Sequence, residues 1–100
     1  MKKIVILGST GSIGTSLLNI INDDKKVFKI ELITANKNYK RLIKQATHFN
    51  VKNLIITDQV SFLKAKKIIK NKNINIYNNF KSIEKIFKNK TIDYTMSAIT

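Results

Sequence analysis

Two kinds of apolar run alternate along this 100-residue chain. Ile4-Val5-Ile6-Leu7 is continuous and mostly β-branched, the pattern of a strand buried on both faces of a parallel sheet. It predicts a first strand over about Lys3 to Leu7. From about Ser12 to Asn22 the spacing becomes helical: Ile13, Leu17, Leu18, Ile20 and Ile21 are expected to form one face that covers the sheet. The polar run Asn22-Asp23-Asp24-Lys25-Lys26 ends that helix. A second strand is expected over Phe28 to Thr34, with Ile30, Leu32 and Ile33 as its apolar content. After the loop Ala35-Asn36-Lys37-Asn38, Leu42, Ile43, Ala46 and Phe49 mark a second amphipathic helix, with Asn38 as its N-cap.

The alternation continues to the end. Leu54-Ile55-Ile56 predicts a third buried strand. Thr57 or Asp58 is placed to cap a third helix, with Phe62, Ala65 and Ile69 on one line, running to about Lys70. Asn71-Lys72-Asn73 breaks it. Ile74-Asn75-Ile76-Tyr77 alternates apolar and polar, so a short fourth strand is expected near an edge. Ile83, Ile86 and Phe87 give a short fourth helix, and Ile92 to Ile99 a fifth strand. The order βαβαβαβαβ implies an α/β fold: a Rossmann-type, doubly wound parallel sheet with helices on both faces. No proline interrupts it, and no internal repeat or linker divides it.

All three glycines of the chain lie in one stretch, Gly8-Ser9-Thr10-Gly11-Ser12-Ile13-Gly14, between the first strand and the first helix. Strand, glycine turn and helix make the opening unit of a dinucleotide-binding fold. A glycine at the strand's end allows a sharp turn. One in the middle lets backbone approach a pyrophosphate, and one a turn into the helix allows close packing. Unpaired N–H groups at the helix N-terminus then face the phosphates. The spacing is G-x-x-G-x-x-G rather than G-x-G-x-x-G. A tight turn that binds nothing is the plainer alternative.

Composition narrows the picture. Cysteine is absent, which excludes disulfides and thiolate metal sites. No apolar run approaches the roughly 20 residues of a membrane helix. A strand predicted within three residues of Met1 leaves no room for a leader. A cytoplasmic location and no membrane partner are the expectation. The net charge is +13, yet the lysines are dispersed and Arg41 is the only arginine. Abundant Lys, Ile and Asn together suit a coding bias and solvated faces better than a nucleic-acid footprint, which would group basic and aromatic residues. No nucleic-acid partner is expected.

The tip of the second strand selects between dinucleotides. An NAD site usually carries a carboxylate about twenty residues past the glycines. Here the tip reads Thr34-Ala35-Asn36-Lys37-Asn38, and Glu31 lies three residues too early. Lys37 would attract a 2′-phosphate and Asn38 would donate to it, so the loop favours NADP. His48, the single histidine, has no carboxylate partner in sequence and is expected at the surface. Ser9 and Ser12 are turn residues rather than nucleophiles. Asp58 and Asp93 suit capping and loop roles. The chain offers no catalytic residue and no metal-ligand cluster.

These residues carry a family resemblance. Ile6-Leu7-Gly8-Ser9-Thr10-Gly11-Ser12-Ile13-Gly14 resembles the opening of the 1-deoxy-D-xylulose 5-phosphate reductoisomerases. Ala35-Asn36-Lys37-Asn38 is similar to that family's A-G-K-N loop, with Leu42 and Gln45 in the helix after it. Met96-Ser97-Ala98-Ile99 is similar to its M-A-A-I. The resemblance spans the chain, but residues 51–90 match in pattern only. It implies that Thr10, Gly11, Ser12 and Ile13 contact the NADPH diphosphate and ribose, and that Asn36, Lys37 and Asn38 surround the 2′-phosphate. Asn36 stands where glycine is commonest; asparagine tolerates a positive φ, so the loop is expected to keep its path.

The family's reaction is a skeletal rearrangement of a phosphosugar, then hydride delivery from NADPH to the resulting aldehyde. A divalent metal, Mg or Mn, holds the substrate oxygens. The resemblance implies a full-length homodimer in isoprenoid biosynthesis by the non-mevalonate route, with metal and substrate groups beyond residue 100. The chain ends where its fifth strand closes, which is read as an N-terminal part: residues 1–100 are the NADPH-binding domain, inactive alone. Two other readings stand beside this one. One is another NADP-dependent reductase or sugar-nucleotide enzyme with the same turn. The other is a small basic module that binds nucleotide or nucleic acid.

Overall fold

A computed structural model describes residues 1–24, 26–70 and 73–99. Those parts of the expected loops that fall on Lys25, Asn71, Lys72 and Thr100 lie outside it. Nine elements follow in the expected order: β1 Lys2–Leu7, α1 Ser12–Asn22, β2 Phe28–Ala35, α2 Tyr39–Phe49, β3 Asn53–Ile56, α3 Gln59–Ile68, β4 Asn75–Tyr77, α4 Ser82–Ile86 and β5 Tyr94–Ser97. The strands form one sheet in the order β4-β3-β2-β1-β5. Every neighbouring pair is parallel. The chain steps outward from β1 to β4, then crosses back to place β5 on the other side of β1. The reversal between β1 and β5 is the switch point at which folds of this class open a ligand crevice.

The two faces are covered unequally. One carries Ile4, Ile6, Ile30, Ile33, Leu54 and Ile56 from the strands, packed with Leu18 and Ile21 of α1, Leu42 and Ala46 of α2, and Ala65 of α3. The other carries Val5, Leu32 and Ile55, covered by Ile83, Ile86, Phe87 and Ile92 around α4. Successive right-handed crossovers in one direction put α1 to α3 on one face, and the reversal puts α4 on the other.

Ile30 and Leu32 are two residues apart in one strand yet face opposite sides. The β1–β2 register explains it: Ile4 pairs with Ile30, but Val5 pairs with Leu32. Glu31 is the extra residue of a bulge, which reverses the alternation from there on.

Two boundaries and one buried face differ from the periodic expectation. Helix α3 stops at Ile68, because Ile69 is extended. Strand β5 covers only Tyr94–Ser97; Ile92 precedes it and packs on the second face. On α1 the buried positions are Gly14, Leu18 and Ile21, whereas Ile13 and Ile20, expected to cover the sheet, are 53% and 66% exposed. A helix buries about one stripe, and these apolar residues span two.

Candidate nucleotide-binding site

A cleft of about 390 Å³ opens at the carboxyl ends of the strands. Gly8, Thr10 and Gly11 enter it from the turn after β1; Thr34, Ala35 and Asn36 come from the end of β2. Thr57 follows β3, Phe80 follows β4, and Ala98 and Ile99 follow β5.

The three glycines do three different jobs. Gly8 has a φ of 76°, so its conformation requires glycine, and a Cβ there would also crowd Ile99 and Ala98 at 3.0 to 3.2 Å. Gly14 has no such φ, but its Cβ would fall 2.5 Å from the Gly8 carbonyl oxygen and from Ser9 Cα. It lets α1 lie directly on the turn. Gly11 is under neither constraint. Its φ is −75°, and the nearest atom to a Cβ there would be 3.9 Å away. The chain itself does not need glycine at position 11. The free space fits a ligand whose phosphates approach the backbone.

The turn is clamped from two sides. Ser9 N donates to the Thr34 carbonyl at 3.0 Å, and Gly8 N donates to Thr34 Oγ1 at 2.8 Å. Ser9 Oγ donates to Gln45 Oε1 at 2.7 Å, while Gln45 Nε2 donates back to the Ser9 carbonyl at 3.0 Å. Ser9, Thr34 and Gln45 are all buried. Arg41, one turn earlier on α2, reaches the Thr10 carbonyl through Nη1 at 3.2 Å. Ser9 is thus a structural turn residue, as expected. The roles of Gln45 and Thr34 in holding the turn were not legible from motif spacing. One signal was present: Gln45 is a polar residue inside the apolar stripe of α2, between Leu42 and Ala46.

The start of α1 is prepared for negative charge. Its N-cap is Gly11, which has no side chain to bond the first-turn amides, and that turn holds no acidic residue. The helical bonding begins with Thr15 N donating to the Gly11 carbonyl. The earlier amides are therefore left without helical partners at the positive end of the dipole, next to Thr10 and Gly11 of the cleft; Ser12 and Ile13 are not among its lining residues. Ser12 and Ile13 stand exposed at this end.

Asn36, Lys37 and Asn38 form an exposed loop between β2 and α2. Asn38 caps α2 as expected, its Oδ1 accepting from Arg41 N at 3.2 Å. That leaves the amide nitrogen of the same side chain as a donor. Asn36 holds its place differently from the expectation. It has no positive φ; Asn50 is the only non-glycine residue described with one. Instead Asn36 Nδ2 donates to Thr57 Oγ1 at 2.7 Å, and its carbonyl accepts from Asp58 N at 3.1 Å.

Asp58 is the N-cap of α3. Bonds from Ser61 Oγ at 2.7 Å and Ser61 N at 3.0 Å hold its carboxyl below the ordinary value. The charges of Lys37 and Lys64 act in the same direction. Lys37 thus lies near enough to the start of α3 for its charge to act on Asp58. Glu31 is buried at the bulge, 3.6 Å from Lys29 Nζ, and is not among the residues lining the cleft.

The remaining candidates keep structural roles. His48 is exposed, with Nε2 3.0 Å from Asn22 Oδ1 and its ring edge-on to Phe49. Asp93 fixes the approach to β5: Oδ2 accepts from Lys3 N at 2.7 Å, and its own N donates to the Lys3 carbonyl. Among the described residues no three His, Cys, Asp or Glu side chains group to hold a metal. No helix among them is long and apolar enough to cross a membrane.

Comparison with known proteins places this geometry in context. A family model described as 1-deoxy-D-xylulose 5-phosphate reductoisomerase matches residues 4–100. The curated reductoisomerase of Pelagibacter ubique is 62% identical over all of this chain, and that of a Thermoanaerobacter species is 39% identical over 88% of it. This chain spans only 26% and 23% of those two proteins. A solved structure of the Zymomonas mobilis reductoisomerase in complex with NADPH superposes with a TM-score of 0.84 at 28% identity. The match covers 98% of this chain and 26% of that one. A second reductoisomerase structure, with NADPH, fosmidomycin and magnesium, superposes with a TM-score of 0.86 over 99% of this chain and 24% of its own. At 22% identity that likeness speaks for the fold.

Proposed function

The chain belongs to the 1-deoxy-D-xylulose 5-phosphate reductoisomerase family, and we propose that it is the NADPH-binding portion of such an enzyme. The single observation that carries this reading is the cleft beside Gly11. A glycine that neither backbone conformation nor packing demands sits at the uncapped start of α1. The Asn36–Asn38 loop starts in the same cleft: Asn36 lines it, and Lys37 and Asn38 follow as exposed residues just outside its lining. These residues fit a dinucleotide. The diphosphate would lie on the amides of Thr10 to Ile13, where backbone donors replace its water. Lys37 and Asn38 would hold the 2′-phosphate by charge and by an amide donor, with Asn36 as the floor of the loop.

When bound, NADPH supplies a hydride to a substrate held by the rest of the enzyme. This chain's own residues bind the cofactor and orient it; they exchange no proton with the substrate. Ala98 and Ile99, on the β5 side of the cleft, would flank the nicotinamide end. We propose that the full-length protein converts 1-deoxy-D-xylulose 5-phosphate to 2-C-methyl-D-erythritol 4-phosphate. The divalent cation and the homodimer that the resemblance implies, and the cytoplasmic location expected from composition, belong to the same proposal. The magnesium in related structures supports the cation.

The test is a paired calorimetric titration of the protein with NADPH and NADH. NADPH is expected to bind at least tenfold more tightly. Changing Lys37 and Asn38 together to alanine should remove that preference and leave NADH binding unaltered. Equal binding of the two cofactors by the unmodified protein would defeat the 2′-phosphate assignment.

A further inference from the structure

Phe80 is 41% exposed, a large apolar surface standing in the wall of the cleft. Its position is fixed rather than incidental. Asn78, two residues earlier, donates from Nδ2 to the Ile56 carbonyl at 3.0 Å, which ties the β4–α4 loop to the carboxyl end of β3. Asn79 then closes a turn: Lys81 N donates to its Oδ1 at 3.0 Å, and Ser82 N donates to its carbonyl at 3.2 Å. Phe80 is thereby held at the mouth of the cleft on the far side of β2 and β3 from β5.

The polarity of the cleft says what should meet it. The diphosphate site at α1 lies in the middle, and the Asn36–Asn38 loop marks the ribose that carries the 2′-phosphate. Beyond that ribose lies the base. The residues that line the cleft there are Ala35, Thr57 and Phe80. Exposed aromatic rings beside a nucleotide groove gain most by stacking on a base, whose π-face needs no hydrogen-bond code. We propose that Phe80 forms one wall of the adenine subsite and sets the affinity for the adenosine half of the cofactor. The proposal rests on the dinucleotide reading of the cleft.

Calorimetry on the full-length protein separates the two. Three probes are used: NADPH, adenosine 2′,5′-bisphosphate as the adenosine half, and reduced nicotinamide mononucleotide as the other half. Base stacking on an aromatic side chain is worth about 5- to 160-fold in affinity, and a half-exposed wall belongs near the low end. Phe80→Ala should therefore weaken NADPH and the bisphosphate alike by about tenfold. The mononucleotide should bind as before. Phe80→Tyr should restore wild-type affinity, while Phe80→Leu, apolar but without a π-face, should not. Unchanged affinity for the bisphosphate in Phe80→Ala would overturn the proposal while leaving the dinucleotide reading intact. So would an equal loss for the mononucleotide, which would mean that the loop had collapsed. If the unmodified protein bound neither NADPH nor the bisphosphate, the dinucleotide reading would fail first.

Discussion

Gly14→Ala sets two effects of opposite sign against each other. On helix propensity alone it should stabilise α1 by at most about 1 kcal/mol, and less in the first turn. The added Cβ, however, would lie 2.5 Å from the Gly8 carbonyl oxygen, 2.5 Å from Ser9 Cα and 2.7 Å from the Ser9 carbonyl carbon. Ordinary carbon contacts sit near 3.5–4.0 Å, so helix and turn must separate by about 1 Å. All three obstructing atoms are backbone, and that backbone is pinned by Thr34 and Gln45. Overpacking of this kind costs about 1–3 kcal/mol, with about 1–3 kcal/mol more for each buried hydrogen bond that breaks. The clash wins. A net loss of about 2 kcal/mol in a urea titration followed by circular dichroism is expected.

Gly11→Ala is the matched control. Its Cβ meets nothing closer than 3.9 Å, and alanine adopts a φ of −75° freely. The lower entropy of the unfolded chain roughly offsets the poorer N-cap, so stability should change by less than about 0.5 kcal/mol. Its methyl would stand where the diphosphate approaches, so NADPH affinity should fall at least tenfold. Gly14→Ala as stable as the wild type would refute the packing argument. Gly11→Ala with unaltered NADPH binding would refute the ligand argument, and neither result would bear on the other.

Gln45→Leu keeps the volume of the buried stripe but orphans the Ser9 hydroxyl and carbonyl; at about 1–3 kcal/mol per buried group it should cost about 2–6 kcal/mol in the same titration. A cycle with Ser9→Ala would show the two changes to be strongly non-additive, and simple additivity would mean the pair does not clamp the turn. Asp58 gives a pH prediction. Its carboxyl is held below the ordinary 3.8, chiefly by Ser61. The folded state therefore gains stability that is fully present above that value and lost as pH falls below it. Asp58→Asn keeps a capping oxygen without the charge, so its acid limb in pH-dependent unfolding should be flatter than the wild type's; identical limbs would show that Asp58 contributes nothing to the acid sensitivity.

The fold was legible because its signals are local and redundant. Continuous β-branched runs at Ile4 to Leu7 and Leu54 to Ile56 fit only strands covered on both faces, and strands that alternate with amphipathic stripes admit few topologies. The glycine turn declared itself by spacing, and Asn38 by the chemistry of a side chain that caps a helix start; for α3 that chemistry left Thr57 and Asp58 open, and the structure chose Asp58. What stayed hidden depends on partners far away in sequence. The apolar residues of α1 fall on two neighbouring stripes, Ile13-Leu17-Ile20 and Gly14-Leu18-Ile21. Periodicity ranks them equally, and the sheet accepts the second. The bulge at Glu31 comes from the pairing of β1 with β2, and neither strand alone implies it.

The same division runs through the site. Sequence alone determined that the glycine turn and the tip of β2 meet at the cleft, since a βαβ unit with a glycine turn brings strand ends and a helix N-terminus together whatever lies elsewhere; Thr57 and Phe80 entered only with the structure. Only the tertiary structure decided how that cleft is held and walled. Gln45 meets Ser9 across 36 residues, Asn36 trades an expected left-handed backbone for a bond to Thr57 across 21, and Phe80 is delivered by Asn78 reaching 22 residues back. Contacts over such separations leave no periodic trace in the chain. The Ser9–Gln45 pair exists because packing the sheet excludes water from buried polar groups, which must then find one another; the other two depend on the strand order that sets β2, β3 and β4 side by side.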